Sequence, residues 1–225
     1  LSSGASVQLD GVGGYSYIPG SVTGSDSFAW RVTDAGGLSS DATVDIEVGG
    51  SGPAPVYRGL RLSGDDSSFL TRDMGSGGDQ HTWSLNIWLK RDNLNQAQDL
   101  FSAYAGGNSN SLLYFTDDNR LAFMVGGGAA GHMISQQSFT SQSDWMSVTL
   151  VYDANAASAS DRAQLYVNGT RLVMDVPQSF AAGYASEING AAVHRIGPNR
   201  ILGRYLHAQV SQVEFIDGQA LDPSV

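Results

Sequence analysis

Apolar and polar residues alternate at every second position through most of this chain, and that period of two expects half-buried β-strands. Before residue 49 the apolar phase runs through Tyr15 and Tyr17, then Phe28, Trp30 and Val32, then Ala42, Val44, Ile46 and Val48. Pro19-Gly20 and Ala35-Gly36-Gly37 supply the turn chemistry between them, so about three or four strands are expected here. From Val56 to Val225 roughly a dozen strand-like runs follow, separated by Gly, Asn, Asp and Ser clusters. No 3.6-residue pattern persists long enough to predict a helix. Trp83, Leu85, Ile87 and Leu89 alternate with Thr82, Ser84, Asn86, Trp88 and Lys90, which assigns the aliphatic set to a core and the mixed set to the opposite face. Met146, Val148, Leu150 and Tyr152 repeat the pattern. Asn168-Gly169 sits between two β-rich runs and predicts a two-residue hairpin. Leu206, Ala208 and Val210 keep one phase while Val213 and Phe215 keep the other, so a bulge is expected near Ser211-Gln212.

The run GGSGPAP, residues 49–55, reads as a linker, because small flexible residues give way to two stiffening prolines. It divides the chain into a module over 1–48 and an all-β domain over 56–225. Composition narrows the roles. The 225 residues carry a formal charge of −10, with 19 Asp, 3 Glu, 11 Arg and the single Lys90, which opposes binding to a phosphate backbone and predicts no nucleic-acid partner. No apolar run approaches the ~20 residues of a membrane span, so no membrane partner is expected. The first residues lack the basic start and apolar stretch of a secretory signal. The absence of Cys excludes thiol catalysis, Cys-ligated zinc and disulfides.

Several of these runs carry a resemblance. GYSYIPGSVTGSDSFAWRVTDAGGLSSDATVDIEV, from about Gly14 to Val48, resembles the closing half of bacterial immunoglobulin-like and cadherin-like modules; the first half is missing, which implies a fragment or strands supplied from elsewhere in an assembly. WSLNIWLKR and DWMSVTLVYDANAASASDRAQLYVNGTRLV resemble the strand and hairpin of laminin-G-like and pentraxin-like concanavalin A sandwiches. YLHAQVSQVEFIDGQALDPS resembles the closing strand of that family, in wording closest to bacteriophage virion proteins. Those versions continue further, which implies truncation at the C-terminal end and the loss of a last strand beside Tyr57 to Leu62. The fold implied is all-β: an antiparallel β-sandwich of laminin-G-like, jelly-roll type, preceded by a partial Ig-like sandwich module.

Catalytic signals are missing. Glycoside hydrolysis needs two carboxylates across the sugar, yet Glu47, Glu187 and Glu214 are scattered and no E-x-D-x-x-E string occurs. Asp117-Asp118 would point to opposite sides of a strand and reads as a turn leading into Asn119. There is no G-x-S-x-G elbow, and His81, His132, His194 and His207 lack metal-ligand spacing. GGGAAG at residues 126–131 satisfies G-x-G-x-x-G, but HMISQQSF after it reads as a strand, so a hairpin loop is expected. The resemblance allows calcium as a cofactor at the rim, with Asp153 and Asp161 as the candidate ligands bracketing ANAASAS; solvated loop acids are the competing reading. A glycan would need an aromatic platform flanked by hydrogen-bonding groups. The candidates are Trp88 beside Asn86 and Lys90, Tyr104 before GGNSNS, and Tyr184 in AAGYASEING; a packing role competes at Trp88 and an ordinary surface role at the tyrosines.

The expected role is therefore a non-enzymatic bacteriophage virion protein, an appendage, fibre or capsid-surface component at the virion surface, partnered by other virion proteins, a host-surface glycan and further copies of itself. The alternatives are a bacterial cell-surface or secreted adhesin and a carbohydrate-binding accessory module of an enzyme.

Overall fold

The computed structural model describes residues 6–9, 15–18, 24–33, 39–48, 59–107, 109–198 and 203–223. The chain divides into two compact units, Leu1–Tyr57 and Arg58–Val225. In the first, β1 (Ser6–Leu9) pairs antiparallel with β2 (Tyr15–Ile18), and β3 (Gly24–Thr33) with β4 (Ser39–Val48). The three alternating runs read before residue 49 are β2, β3 and β4. The Pro19-Gly20 and Ala35-Gly37 turns and the 49–55 linker lie outside the described residues.

The second unit contains two antiparallel sheets. The six-stranded sheet is ordered β14 (Thr170–Arg171), β13 (Ala163–Val167), β12 (Met146–Asp153), β7 (Thr82–Arg91), β17 (Ala208–Asp217) and β5 (Leu60–Leu62). The seven-stranded sheet is ordered β15 (Met174–Gln178), β11 (Gly131–Ser138), β10 (Arg120–Val125), β9 (Ser109–Phe115), β8 (Gln98–Gly106), β16 (Val193–Ile196) and β6 (Leu70–Asp73). Among the described residues the only helical turns are two short 3-10 segments, Gly126–Gly128 and Ala159–Asp161. The all-β sandwich expected from the alternation is what forms.

The core lies between the sheets. Leu85, Ile87, Leu150 and Leu165 meet Leu113, Phe115, Leu121 and Phe123, all at most 1% exposed, and each large apolar side chain so buried stabilises the fold by ~1.5–3 kcal/mol. Trp83 is the hub. Its ring stacks on Tyr152 at 5.3 Å and on Phe215 at 5.7 Å, and Phe215 stacks in turn on Phe101 at 6.3 Å. Its indole N–H donates to Ser186 Oγ at 3.0 Å, so the one polar atom of the ring is satisfied.

The inward phase of β7 also carries Arg91 into the core. Its guanidinium carbon stands 3.9 Å from the Phe115 ring centroid and Nη1 donates to the Phe139 carbonyl at 2.8 Å. Burial lowers its pKa to about 10.

The expected turns are present. Val167 pairs with Thr170 across Asn168 (φ 50°) and Gly169 (φ 78°), the double left-handed signature of a type I′ hairpin. The β17–β7 register shifts between Ser211 and Val213, and the extra residue, Gln212, takes φ 43°. That bulge lets Val210 and Val213 both face the other sheet. Gly126 to Ala130 close the β10–β11 hairpin, with Val125 opposite Gly131, so the glycine-rich motif is a loop between strands.

Candidate functional site

The outer face of the six-stranded sheet is built by the polar phase of β7. Trp88 lies between Ser147 of β12 and Ser211 of β17, and Asn86 between Thr149 and Glu214. Asn86 Nδ2 donates to Ser147 Oγ and Thr149 Oγ1, both at 2.7 Å, which fixes the amide and leaves its oxygen turned the other way. Lys90 and Gln209 face each other one step further along. Trp88 is half-buried on this face.

Trp145 joins it. It stands one residue before β12, two residues from Ser147 and so in the same alternating phase. The six-membered ring of its indole reaches Gly59, where a Cβ would stand 3.2 Å from Trp145 Cη2. Two indoles, an amide, an ammonium group, hydroxyls and the Glu214 carboxylate thus share one shallow face. Its far end is closed by residues 219–221, which cross Ser84: Ser84 Oγ donates to the Gln219 carbonyl and accepts from Leu221 N, each at 2.7 Å.

The two tyrosines named with Trp88 go elsewhere. Tyr104 is half-buried on the outer face of the other sheet, where it forms a hollow of about 90 Å³ with Ser102, Val193 and Arg195. Along that face Tyr114 packs under the Arg204 guanidinium at 4.6 Å, and its hydroxyl meets His132 Nε2 at 3.0 Å. Burial lowers the pKa of His132 and raises that of Tyr114. Arg204 also pairs with Asp99, fully buried, at 2.7 Å.

Tyr184 is held by the protein itself. Its hydroxyl donates to Glu187 Oε1 at 3.0 Å, while Glu187 Oε2 accepts from Ser111 Oγ at 2.5 Å and from Gly126 N at 3.2 Å. Burial and the Glu187 charge push the Tyr184 phenol up to about 12. The arrangement clamps the loop before β16 onto β9 and the glycine loop, with Glu187 only 6% exposed.

Asp153 and Asp161 have local partners. Asp153 Oδ1 accepts from Asn155 N at 3.0 Å, and Asp161 Oδ1 pairs with Arg171 at 2.9 Å. Calcium takes six to eight oxygen ligands, and among the described residues no group of three or more His, Asp or Glu could hold a metal ion. Asp117-Asp118 form the β9–β10 turn: Asn119 takes φ 65°, and hydrogen bonds from Thr116 and then Arg120 hold the Asp118 carboxyl below its ordinary range.

Sequence reasoning missed Trp145, although its phase relative to Ser147 was readable. It also missed the Glu187 clamp, whose partners are 76 and 61 residues away along the chain.

Comparison with known proteins follows the fold. Residues 63–223 match the family described as the Concanavalin A-like lectin/glucanases superfamily. No curated protein sequence matches. Among solved structures, the heptameric SAP-like pentraxin of Limulus polyphemus aligns with TM-score 0.50 at 16% identity, over 67% of this chain and 70% of the pentraxin. Domain 4 of AbnA, an extracellular arabinanase of Geobacillus stearothermophilus solved in complex with arabinotriose, aligns with TM-score 0.52 at 13% identity, over 88% and 84%. NanB sialidase of Streptococcus pneumoniae aligns with TM-score 0.52 at 15% identity, and this chain, 74% covered, spans only 26% of that one.

Proposed function

Because the chain belongs to the concanavalin A-like lectin/glucanases superfamily across residues 63–223, we propose that it is a non-enzymatic glycan-binding module whose contact surface is the Trp88 face of the six-stranded sheet. The observation that carries this reading is the half-exposed Trp88 set among Asn86, Lys90, Ser147 and Glu214, with Trp145 on the same face. A sugar ring stacks its C–H bonds on an indole, while amide, ammonium and carboxylate groups hydrogen-bond its hydroxyls. The setting we infer is the surface of a bacteriophage virion, where an Ig-like module precedes the sandwich and copies of the chain assemble with other virion proteins. The tail wording FIDGQAL and the V-T-D-A-G-G turn support it.

Glycan-array binding followed by calorimetry tests the site, with arabinan oligosaccharides included because a sandwich of this fold is known with arabinotriose. The 225-residue chain is expected to bind at least one glycan, and Trp88→Ala to lose at least tenfold in affinity with an unchanged circular dichroism spectrum. Retained binding in that variant, or new reducing ends released from the bound glycan, overturns the reading.

A further inference from the structure

Beside the second half of β17 the six-stranded sheet carries no further strand among the described residues. β7 pairs with β17 from Ala208 to Asp217, whereas β5 pairs with it only from Ala208 to Val210. Gly218 N donates to the Thr82 carbonyl of the β7 side at 3.0 Å, and successive residues of an antiparallel ladder turn their backbone groups to alternate sides. Glu214 and Ile216 therefore direct their N–H and C=O groups at β7. Val213, Phe215 and Asp217 direct theirs away from it, where no backbone group of the described residues meets them. This free edge, Val213 to Asp217, runs for roughly 14 Å at ~3.4 Å per residue.

The interior is open along the same stretch. Val213 and Phe215 stand opposite Ile87 and Leu85, in the inward phase, yet Val213 is 37% exposed and Phe215 only half-buried. Leu70 shares the inward phase of Ile196 and Phe101 on the edge strand of the other sheet, and it is 46% exposed. These side chains line a cleft of about 420 Å³ between the two sheet edges. A small apolar molecule would fill the cleft and leave the edge to water, whereas an added strand fills the cleft and pairs with the edge together. The pleat then dictates its side chains. Positions opposite Val213 and Phe215 point into the cleft, where the lining is apolar and Arg72 repels a base. The position between them points outward beside Glu214, an exposed carboxylate in no ion pair among the described residues, and a base fits there. A second copy of the chain would bring a further formal charge of −10 to this edge. We propose that β17 binds an extended segment of another protein by strand addition, antiparallel and in line with β5, with apolar residues alternating around a lysine or arginine opposite Glu214. The test of this edge needs no glycan.

The probe is the capped pentapeptide acetyl-Val-Thr-Val-Lys-Val-amide, titrated into the full 225-residue chain with amide exchange followed by NMR. The peptide is expected to bind and to slow exchange at Val213, Phe215 and Asp217, leaving Glu214 and Ile216, already bonded to β7, unchanged. N-methylation of the central valine, whose N–H faces β17, should weaken binding at least tenfold; N-methylation of the lysine, whose N–H faces solvent, should change it little. Glu214→Lys, on an exposed side chain, should weaken the peptide by about threefold. Absence of binding, protection at another strand instead, equal effects of the two N-methylations, or amides at Val213 and Phe215 already protected in the free chain overturns the proposal. So does a dimer in sedimentation that the peptide fails to dissociate and that Val213→Lys breaks, since a second copy would then occupy the edge.

Discussion

Replacing Glu187 by Leu keeps the approximate bulk of the side chain and removes the acceptor that three donors share. The Ser111 hydroxyl is the most costly to orphan, because Ser111 is fully buried; an unsatisfied buried donor costs ~1–3 kcal/mol, so about 2 kcal/mol falls here. Gly126 N and the Tyr184 hydroxyl lie in partly buried hydrogen bonds, so water can reach them and each contributes about 1 kcal/mol. The expected loss is about 4 kcal/mol, and at ~2–4 °C per kcal/mol for a domain of this size the melting temperature should fall by roughly 8–16 °C. Glu187→Gln keeps one acceptor oxygen and should lose about half as much. Urea titration followed by tryptophan emission measures both. A loss below about 1 kcal/mol in Glu187→Leu, with the urea dependence unchanged, would show that the clamp is not a stabilising element and would refute the reasoning.

Two further outcomes follow from other parts of the sandwich. Deleting Gln212 removes the one extra residue, so that Ser211 opposite Trp88 is followed directly by Val213 opposite Ile87 and Phe215 keeps its stacking on Trp83 and Phe101; a change of no more than about 1 kcal/mol is expected in the same urea titration, and a loss of about 3 kcal/mol or more would show that the bulge itself is needed to seat the core residues. The Tyr184 phenol is raised by burial and by Glu187 to about 12, above its ordinary ~10; its stabilising contribution is therefore complete below pH ~10 and is lost as the pH climbs towards 12. Stability measured across that interval should decline less steeply in Tyr184→Phe than in the wild type, and parallel declines would contradict the assignment.

The fold was legible wherever a local pattern determines it. The inward phase of β7 could be read because a strand has only two faces, and the Asn168-Gly169 hairpin because few residue pairs accept two successive left-handed conformations. The bulge at Gln212 was readable as a break in phase. What escaped depends on contacts distant in sequence. Ser84 belongs to the outer face by alternation yet is 4% exposed, because residues 219–221 cross over it. Arg91 continues the apolar phase into the core, where charge alone would have placed it outside; a ring and a carbonyl receive it there. Of the three aromatic candidates, Trp88 could be placed from the period of its strand. Tyr184 could not, since the acid that holds it is itself positioned by Ser111, on a strand of the seven-stranded sheet.

The row of rings from Phe101 through Phe215 to Trp83 has an optical consequence. Trp83 is the fully enclosed indole of the sandwich, whereas Trp88 and Trp145 meet solvent, so its emission should sit at the blue edge of the spectrum. Any change that displaces Phe215 reaches that chromophore one ring away, so the emission of Trp83 reports how β17 is seated on the core.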